Sequence, residues 1–328
     1  SNYQITAPML TKNPPSTRIA AELKSGEHTE PRFNLADYAV LMKPRVMSLV
    51  VFTALVGLLL APGSIDPWTA TAAIVFIALG AGAAGAINMW YDRDIDLQMS
   101  RTMNRPLPAG RMRPGPALVF GIIMGLAAVS SMAYYVNLVS AALLLVTILY
   151  YVFVYTVWLK RLTPQNVVIG GVSGALPPVV GWASVTGGID SGALSLFLII
   201  LLWTPPHSWA LALYRRGDYE AAGVPMLPVV AGVQATKRQM TFYTVLLLPA
   251  TLIPVAIGIS GMVYAVVALI CALGFAFHSR RLWLAADDVI VNVSKSNPAR
   301  GLFFFSIQYL FALFVALLAD RLFFLPVF

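Results

Sequence analysis

PWTATAAIVFIALGAGAAGAINMWY, residues 67–91, carries no charge, and it runs directly into DRDID, residues 92–96. A run of that length is enough for an α-helix to cross the ~30 Å hydrocarbon core of a bilayer. The rest of the chain shows that it is no isolated buried helix. Of 328 residues, 59% are hydrophobic and only 11% are Asp, Glu, Lys or Arg; a soluble domain runs near a quarter charged. Mean hydropathy is +0.77. So few charges cannot cover so much apolar surface in water, and a disordered chain would be poor in aliphatic and aromatic residues. The apolar runs are continuous and do not alternate, which excludes an outer-membrane barrel. The single cysteine, Cys271, lies in an apolar run and excludes disulfide and cysteine–zinc chemistry. Residues 1–35 are polar and basic, without the apolar stretch of a cleavable signal peptide.

Nine spans are predicted. The first covers Val46–Ile65 and starts near Asp37; the second is Pro67–Tyr91. The uncharged run Pro114–Leu159 is too long for one span and breaks near Tyr135–Asn137, giving the third and fourth. Leu162–Ile189 is the fifth and Ser191–Tyr214 the sixth. Gln239–Ser279 breaks at Gly258-Ile259-Ser260-Gly261 into the seventh and eighth, and Gly301–Ala319 is the ninth. Of the 22 Lys and Arg residues, all but Arg321 then fall on one face. The positive-inside rule makes that face cytoplasmic, with the N-terminus inside and the C-terminus outside. The net charge of +8 is therefore a property of one membrane face and no sign of nucleic acid. Loops on the opposite face are short, so function is expected on the cytoplasmic side of the inner membrane. Residues 1–34, with Pro14-Pro15 and mixed charges, read as a flexible cytoplasmic tail before a single membrane domain, 35–328.

At the end of the second span, Asn88, Asp92 and Asp96 are spaced by four and stack along one helix face, while Asp94 points elsewhere. Acids at a helix C-terminus are disfavoured by the macrodipole. Stacked carboxylates also repel unless a cation lies between them, and hard oxygen ligands of this kind suit Mg²⁺ bridging to phosphate. The loop that follows holds Arg101, Asn104 and Arg105, and arginine grips phosphate with two-point hydrogen bonds. Topology alone would also place arginines there. A second polar cluster follows the sixth span, with Tyr214, Arg215, Arg216, Asp218 and Glu220. The two clusters are expected to face each other across a bundle, where Mg²⁺ would act as a Lewis acid on a departing diphosphate.

Asn88-x3-Asp92-x3-Asp96 with Arg101, Asn104 and Arg105 resembles the first aspartate motif of the UbiA superfamily of intramembrane prenyltransferases. Lys43-Pro-Arg45, the stretch Tyr155–Trp182 with Lys160, Arg161 and Asn166, and Pro206-His207-x-Trp209 through Pro228 resemble its haem-farnesylating branch. The likeness covers about residues 35–320. It implies an all-α bundle of nine membrane helices with a cytoplasmic-side cavity. It implies farnesyl diphosphate and haem B as substrates, Mg²⁺ as cofactor, and a haem-modifying or oxidase-assembly protein to receive the product. Many superfamily members carry a second acid where this chain has Tyr214, which leaves Asp218 alone in the second motif.

On that resemblance, Asn88, Asp92 and Asp96 hold Mg²⁺ on the diphosphate, and Asp218 holds a second ion or a water. Lys43, Arg45, Arg101, Arg105, Lys160 and Arg161 form a cationic pool for the diphosphate and the haem propionates, undivided between the two. Tyr151, Tyr155, Trp203 and Trp209 are candidates to line the pocket of an allylic cation, or ordinary packing. His207, inside a span after Pro205-Pro206, is a candidate haem contact, a base, or a histidine bonded to a carbonyl freed by a proline kink. The glycines at 80, 82, 85, 170, 171 and 174 allow close helix approach or room for a ligand. Three rivals remain: the same transfer onto an aromatic quinone precursor, a membrane transporter, and an assembly factor for a haem enzyme.

Overall fold

A computed structural model describes residues 34–291, 294 and 296–323, in which every regular element is a helix. The predicted N-terminal tail lies outside the described residues but for Asn34. Among the described residues, eight helices are long and apolar enough to cross a membrane, and nine when the bent pair Leu35–Leu41 and Pro44–Leu60 counts as one span. The second and sixth spans, Pro67–Tyr91 and Ser191–Tyr214, have the bounds read from the sequence. The breaks after Tyr135 and before Met262 also fall where expected.

The helix starts follow from local chemistry. Asp66, Asn137, Asp190 and Asn297 each cap a span with a side-chain oxygen on free backbone amides. Proline occupies the first turn of several, where no amide hydrogen is needed. Pro177-Pro178 splits the fifth span into Asn166–Ala175 and Pro177–Thr186. Pro205 and Pro206, by contrast, lie inside an unbroken sixth helix. Neighbouring helices can re-satisfy the freed groups in a bundle of this kind. The fourth span departs from expectation: after Leu138–Leu149 it winds as a π-helix over Tyr150–Trp158 and closes with a 3₁₀ turn, Leu159–Arg161.

The seventh span begins at Gly232, seven residues before the sequence reading. Lys237, two residues ahead of the span predicted from Gln239, is by the sequence a loop cation. Instead its buried ammonium donates to the carbonyls of Trp283 and Ala285 and to Asp287, at the C-terminal end of the eighth span, Met262–Leu284. Asp320, fully buried on the ninth span, accepts the amide hydrogens of Gly261 and Val263 at the other end. Each charge meets the helix end whose macrodipole it complements.

The glycines divide by environment. A Cβ on Gly80 would meet Leu144, on Gly82 Met42, and on Gly170 the Tyr155 ring, each within 3 Å. Gly174 has nothing within 4 Å. The tightest approach involves glycines outside the set singled out from sequence. The Gly57 position would place a Cβ 2.1 Å from the Pro178 carbonyl oxygen, and Gly181 one 2.0 Å from that of Ala54. The first span and the second half of the fifth thus touch backbone to backbone.

Replacing Gly by Ala inside a helix ordinarily stabilises it by ~0.5–1 kcal/mol. Gly181→Ala is expected to reverse that sign and cost ~1–3 kcal/mol, because its neighbour is rigid backbone. Thermal unfolding of the purified protein should show a melting temperature several degrees lower for Gly181→Ala and no lower for Gly174→Ala.

Candidate active site

The ends of the second, fourth and sixth spans and the bend of the first lie at one end of the bundle, as alternating antiparallel spans require. The second helix delivers Asn88, Asp92 and Asp96 there in a row, all buried. Each is engaged by a cation from elsewhere. Lys43 donates to Asn88 Oδ1, Lys160 to Asp92 Oδ2, and Arg105 to Asp96 Oδ2 at 2.6 Å. Lys43 is the one non-glycine residue at positive φ among the described residues (φ 53°), and it sits in the 55° bend between the two parts of the first span. An L-residue in that conformation carries ~1–2 kcal/mol of strain. Here the conformation lies just ahead of Pro44, at the turn from which the ammonium reaches the second helix.

The fourth span supplies the rest. Arg161 forms a two-point ion pair with Asp94, both contacts 2.7 Å, and its guanidinium lies 4.8 Å from the Tyr91 ring centroid. Its nearest approach to Asp92 is 3.7 Å. Asp94 does point away from the acid row, as its spacing predicts, and the bond from Arg161 holds its carboxyl below the usual range. Arg161 is therefore committed chiefly to Asp94, whereas Lys160 belongs to the row. Arg45 is exposed on the first turn after the bend and takes part in none of the site's ion pairs.

The second cluster does reach the first. Ser100, in the loop after the acid row, donates to the Asp218 carboxylate with both oxygens at 3.0 Å. The loops after the second and sixth spans are thereby tied across the site. Next to Asp218, burial pushes the Tyr219 hydroxyl above its usual range, with Arg101 and Lys160 opposing that. Tyr214 is buried with its ring 6.0 Å from Phe303 and lies under the Arg215 guanidinium. His207 stacks between Trp203 and Phe303, at 4.2 and 4.8 Å, and its Nδ1 meets Ser306 Oγ at 2.6 Å. Ser306 donates its own proton to the Phe303 carbonyl. The network therefore assigns the imidazole proton to Nδ1 and leaves Nε2 a lone pair. Tyr151 and Tyr155 stack at 5.5 Å, and Trp209 is fully buried against Tyr243.

Ser100 and Thr156 were not singled out from sequence, since a hydroxyl beside an arginine or inside an apolar run carries no signal of its own. As a cation site the row is chemically suitable. Its donors are hard oxygens, and Asp92 Oδ1 is buried without a hydrogen-bond partner. No group of three or more His, Cys, Asp or Glu side chains converges among the described residues. A cation here would thus draw on Asn88 and on phosphate oxygens besides the two acids.

Comparison with known proteins agrees with this picture. The chain is 53% identical over 299 residues to protoheme IX farnesyltransferase of Rhizobium rhizogenes, covering 91% of this chain and 92% of that one. It is 52% identical over 284 residues to protoheme IX farnesyltransferase 2 of Mesorhizobium japonicum, covering 87% and 89%. Among solved structures, a digeranylgeranylglyceryl phosphate synthase matches with TM-score 0.71 at 20% identity, over 87% of this chain and 98% of that one. A UbiA homologue from Archaeoglobus fulgidus bound to DMAPP and Mg²⁺ matches with TM-score 0.62 at 15% identity, over 86% and 99%. The family model for UbiA prenyltransferases spans residues 50–307. With that span and relatives identical at half their positions, this multi-pass membrane chain belongs to the UbiA prenyltransferase family.

Proposed function

We propose that this protein transfers the farnesyl group of farnesyl diphosphate to a vinyl group of haem B, giving haem O and diphosphate. One observation carries the reading. The row Asn88, Asp92, Asp96 is buried beside Lys43, Lys160 and Arg105, in a chain about half identical to relatives named protoheme IX farnesyltransferase. That arrangement presents acids for a cation and cations for a phosphate within one small volume.

Asn88, Asp92 and Asp96 would hold Mg²⁺, which supplies Lewis acidity to the leaving diphosphate. With the row so engaged, Lys43, Lys160 and Arg105 would be free to take up phosphate oxygens. Asp218, tied to Ser100, would hold a second ion or a water on the opposite side of the site. Arg45 and Arg101 are left for the propionates. Breaking the farnesyl C–O bond leaves an allylic cation, which the half-buried rings of Tyr151 and Tyr155 and the buried Trp203 would shield from water. The haem vinyl carbon attacks that cation, and water adds with loss of a proton to complete the hydroxyfarnesyl group. His207, with Nδ1 fixed by Ser306, would present Nε2 to the haem. A fixed second nitrogen is how ligand histidines are usually oriented. A transporter would need polar residues running between the faces, but the buried Asp320 at the far end is occupied by the eighth span's amides. On this reading the site opens to the cytoplasm, with the N-terminus inside and the C-terminus outside.

Three measurements test it. With farnesyl diphosphate, haem B and Mg²⁺, Asp92→Ala should lower product formation by at least about a hundredfold, beyond the usual loss for residues that only support a ligand. Unaltered turnover would remove the metal assignment, and prenylation of hydroxybenzoate instead of haem B would reassign the acceptor. His207→Ala should shift the absorption spectrum of bound haem and weaken its binding; an identical spectrum and affinity would confine His207 to packing. In a Cys271→Ser background, a membrane-impermeant maleimide should label Ser64→Cys from outside intact cells and leave Ala109→Cys unlabelled.

A further inference from the structure

Thr156 lies in the π-wound part of the fourth span and is fully buried. Its hydroxyl donates to the carbonyl of Tyr151, five residues back, at 2.8 Å. Threonines in the α-helices behave differently: Thr71, Thr147, Thr204, Thr236, Thr241 and Thr244 each bond the carbonyl four residues back, and Thr53 the one three back. That is the ordinary habit of a threonine in an α-helix. The wide winding offers Thr156 a carbonyl from a different register, and π-turns of this kind concentrate at functional sites.

A hydroxyl has one proton. With that proton on Tyr151, Thr156 Oγ1 can only accept, and it accepts from Asn88 Nδ2 at 2.9 Å. The two ends of an asparagine amide are nearly the same size, so hydrogen bonds alone decide which way it faces. Nitrogen toward Thr156 means oxygen toward Lys43, which is the contact observed. Asp92 Oδ2 accepts from the same nitrogen at 2.8 Å. However, that carboxylate also serves Lys160, and any cation in the row would draw on it. Thr156 has no competing partner.

We propose that Thr156 is a positioning residue for prenyl transfer: held by the π-turn carbonyl of Tyr151, it fixes the Asn88 amide with its oxygen turned to the diphosphate site. This rests on the reading of Asn88, Asp92 and Asp96 as the cation-binding row, and the test separates the two. Mn²⁺ is titrated by electron paramagnetic resonance into the full-length protein with the unreactive farnesyl S-thiolodiphosphate, for wild type, Thr156→Val, Thr156→Ser and Asp92→Ala. Thr156→Val, equal in shape but without the hydroxyl, should weaken Mn²⁺ binding by about tenfold, the worth of one hydrogen bond lost in a buried site. Thr156→Ser should restore it to within about twofold, since it keeps the hydroxyl that makes the bond. In turnover, the valine variant should need more metal for half-maximal rate, with less effect on the rate at saturation. Thr156→Ala, which also lacks the hydroxyl, takes the valine variant's place if that protein does not purify folded. Wild-type Mn²⁺ affinity in the hydroxyl-free variant while Asp92→Ala loses binding would overturn the role of Thr156 alone. Equal loss in the serine variant would also overturn it, by showing that volume and not the hydroxyl matters. Wild-type affinity in Asp92→Ala would remove the cation-binding row, and the proposal with it.

Discussion

A carboxylate buried at the end of an apolar helix is the constraint on which this structure turns. Asp92 lies almost wholly out of solvent, and an unpaired ion there would cost several kcal/mol. Lys160 and Asn88 satisfy one oxygen, so the fourth span must end beside the second. Lys43 must reach Asn88, so the first span must bend. The other oxygen of Asp92 has no hydrogen-bond partner. The fold thus assembles around a carboxylate whose hydrogen-bonding capacity it satisfies only in part, which leaves it open to exchange.

On the proposed function, such an exchange would account for the many cations and acids that face one another in the site. Lys43, Lys160 and Arg105 are paired with members of the acid row. A diphosphate accompanied by a divalent cation offers every member a better partner: phosphate for the ammonium and guanidinium groups, metal for the carboxylates. The site's charge stays nearly balanced throughout, which suits a chemistry that must expel water. Arg161 does not share this freedom, because its two-point grip on Asp94 is a connection between helices.

Most of the architecture was legible in the sequence because two independent regularities coincide: uncharged runs of membrane length, and cations confined to alternate connections. The four-residue spacing of Asn88, Asp92 and Asp96 likewise placed them on one face. What was hidden depends on distant partners. Lys237 reads as a loop charge until the carbonyls of Trp283 and Ala285 are known to receive it. The π-winding of Tyr150–Trp158 leaves no mark in an apolar run, and neither does the meeting of Ser100 with Asp218, 118 positions apart. Nor does the sequence mark Gly57 and Gly181, because what makes glycine necessary there is the carbonyl of Pro178 or Ala54 on a distant segment.

The eighth span illustrates how a helix at the rim of such a bundle is held. Along Val266, Leu269, Ile270, Leu273 and Phe277 it faces outward, while its other side packs closely on the ninth span, where Gly274 meets the Phe305 ring and Phe275 the Tyr309 ring. It is fastened at its tips, by Lys237 from the helix before and Asp320 from the helix after. Both ends of the eighth helix are thus closed by charges borrowed from its neighbours in sequence, which makes the last three spans one mechanical unit.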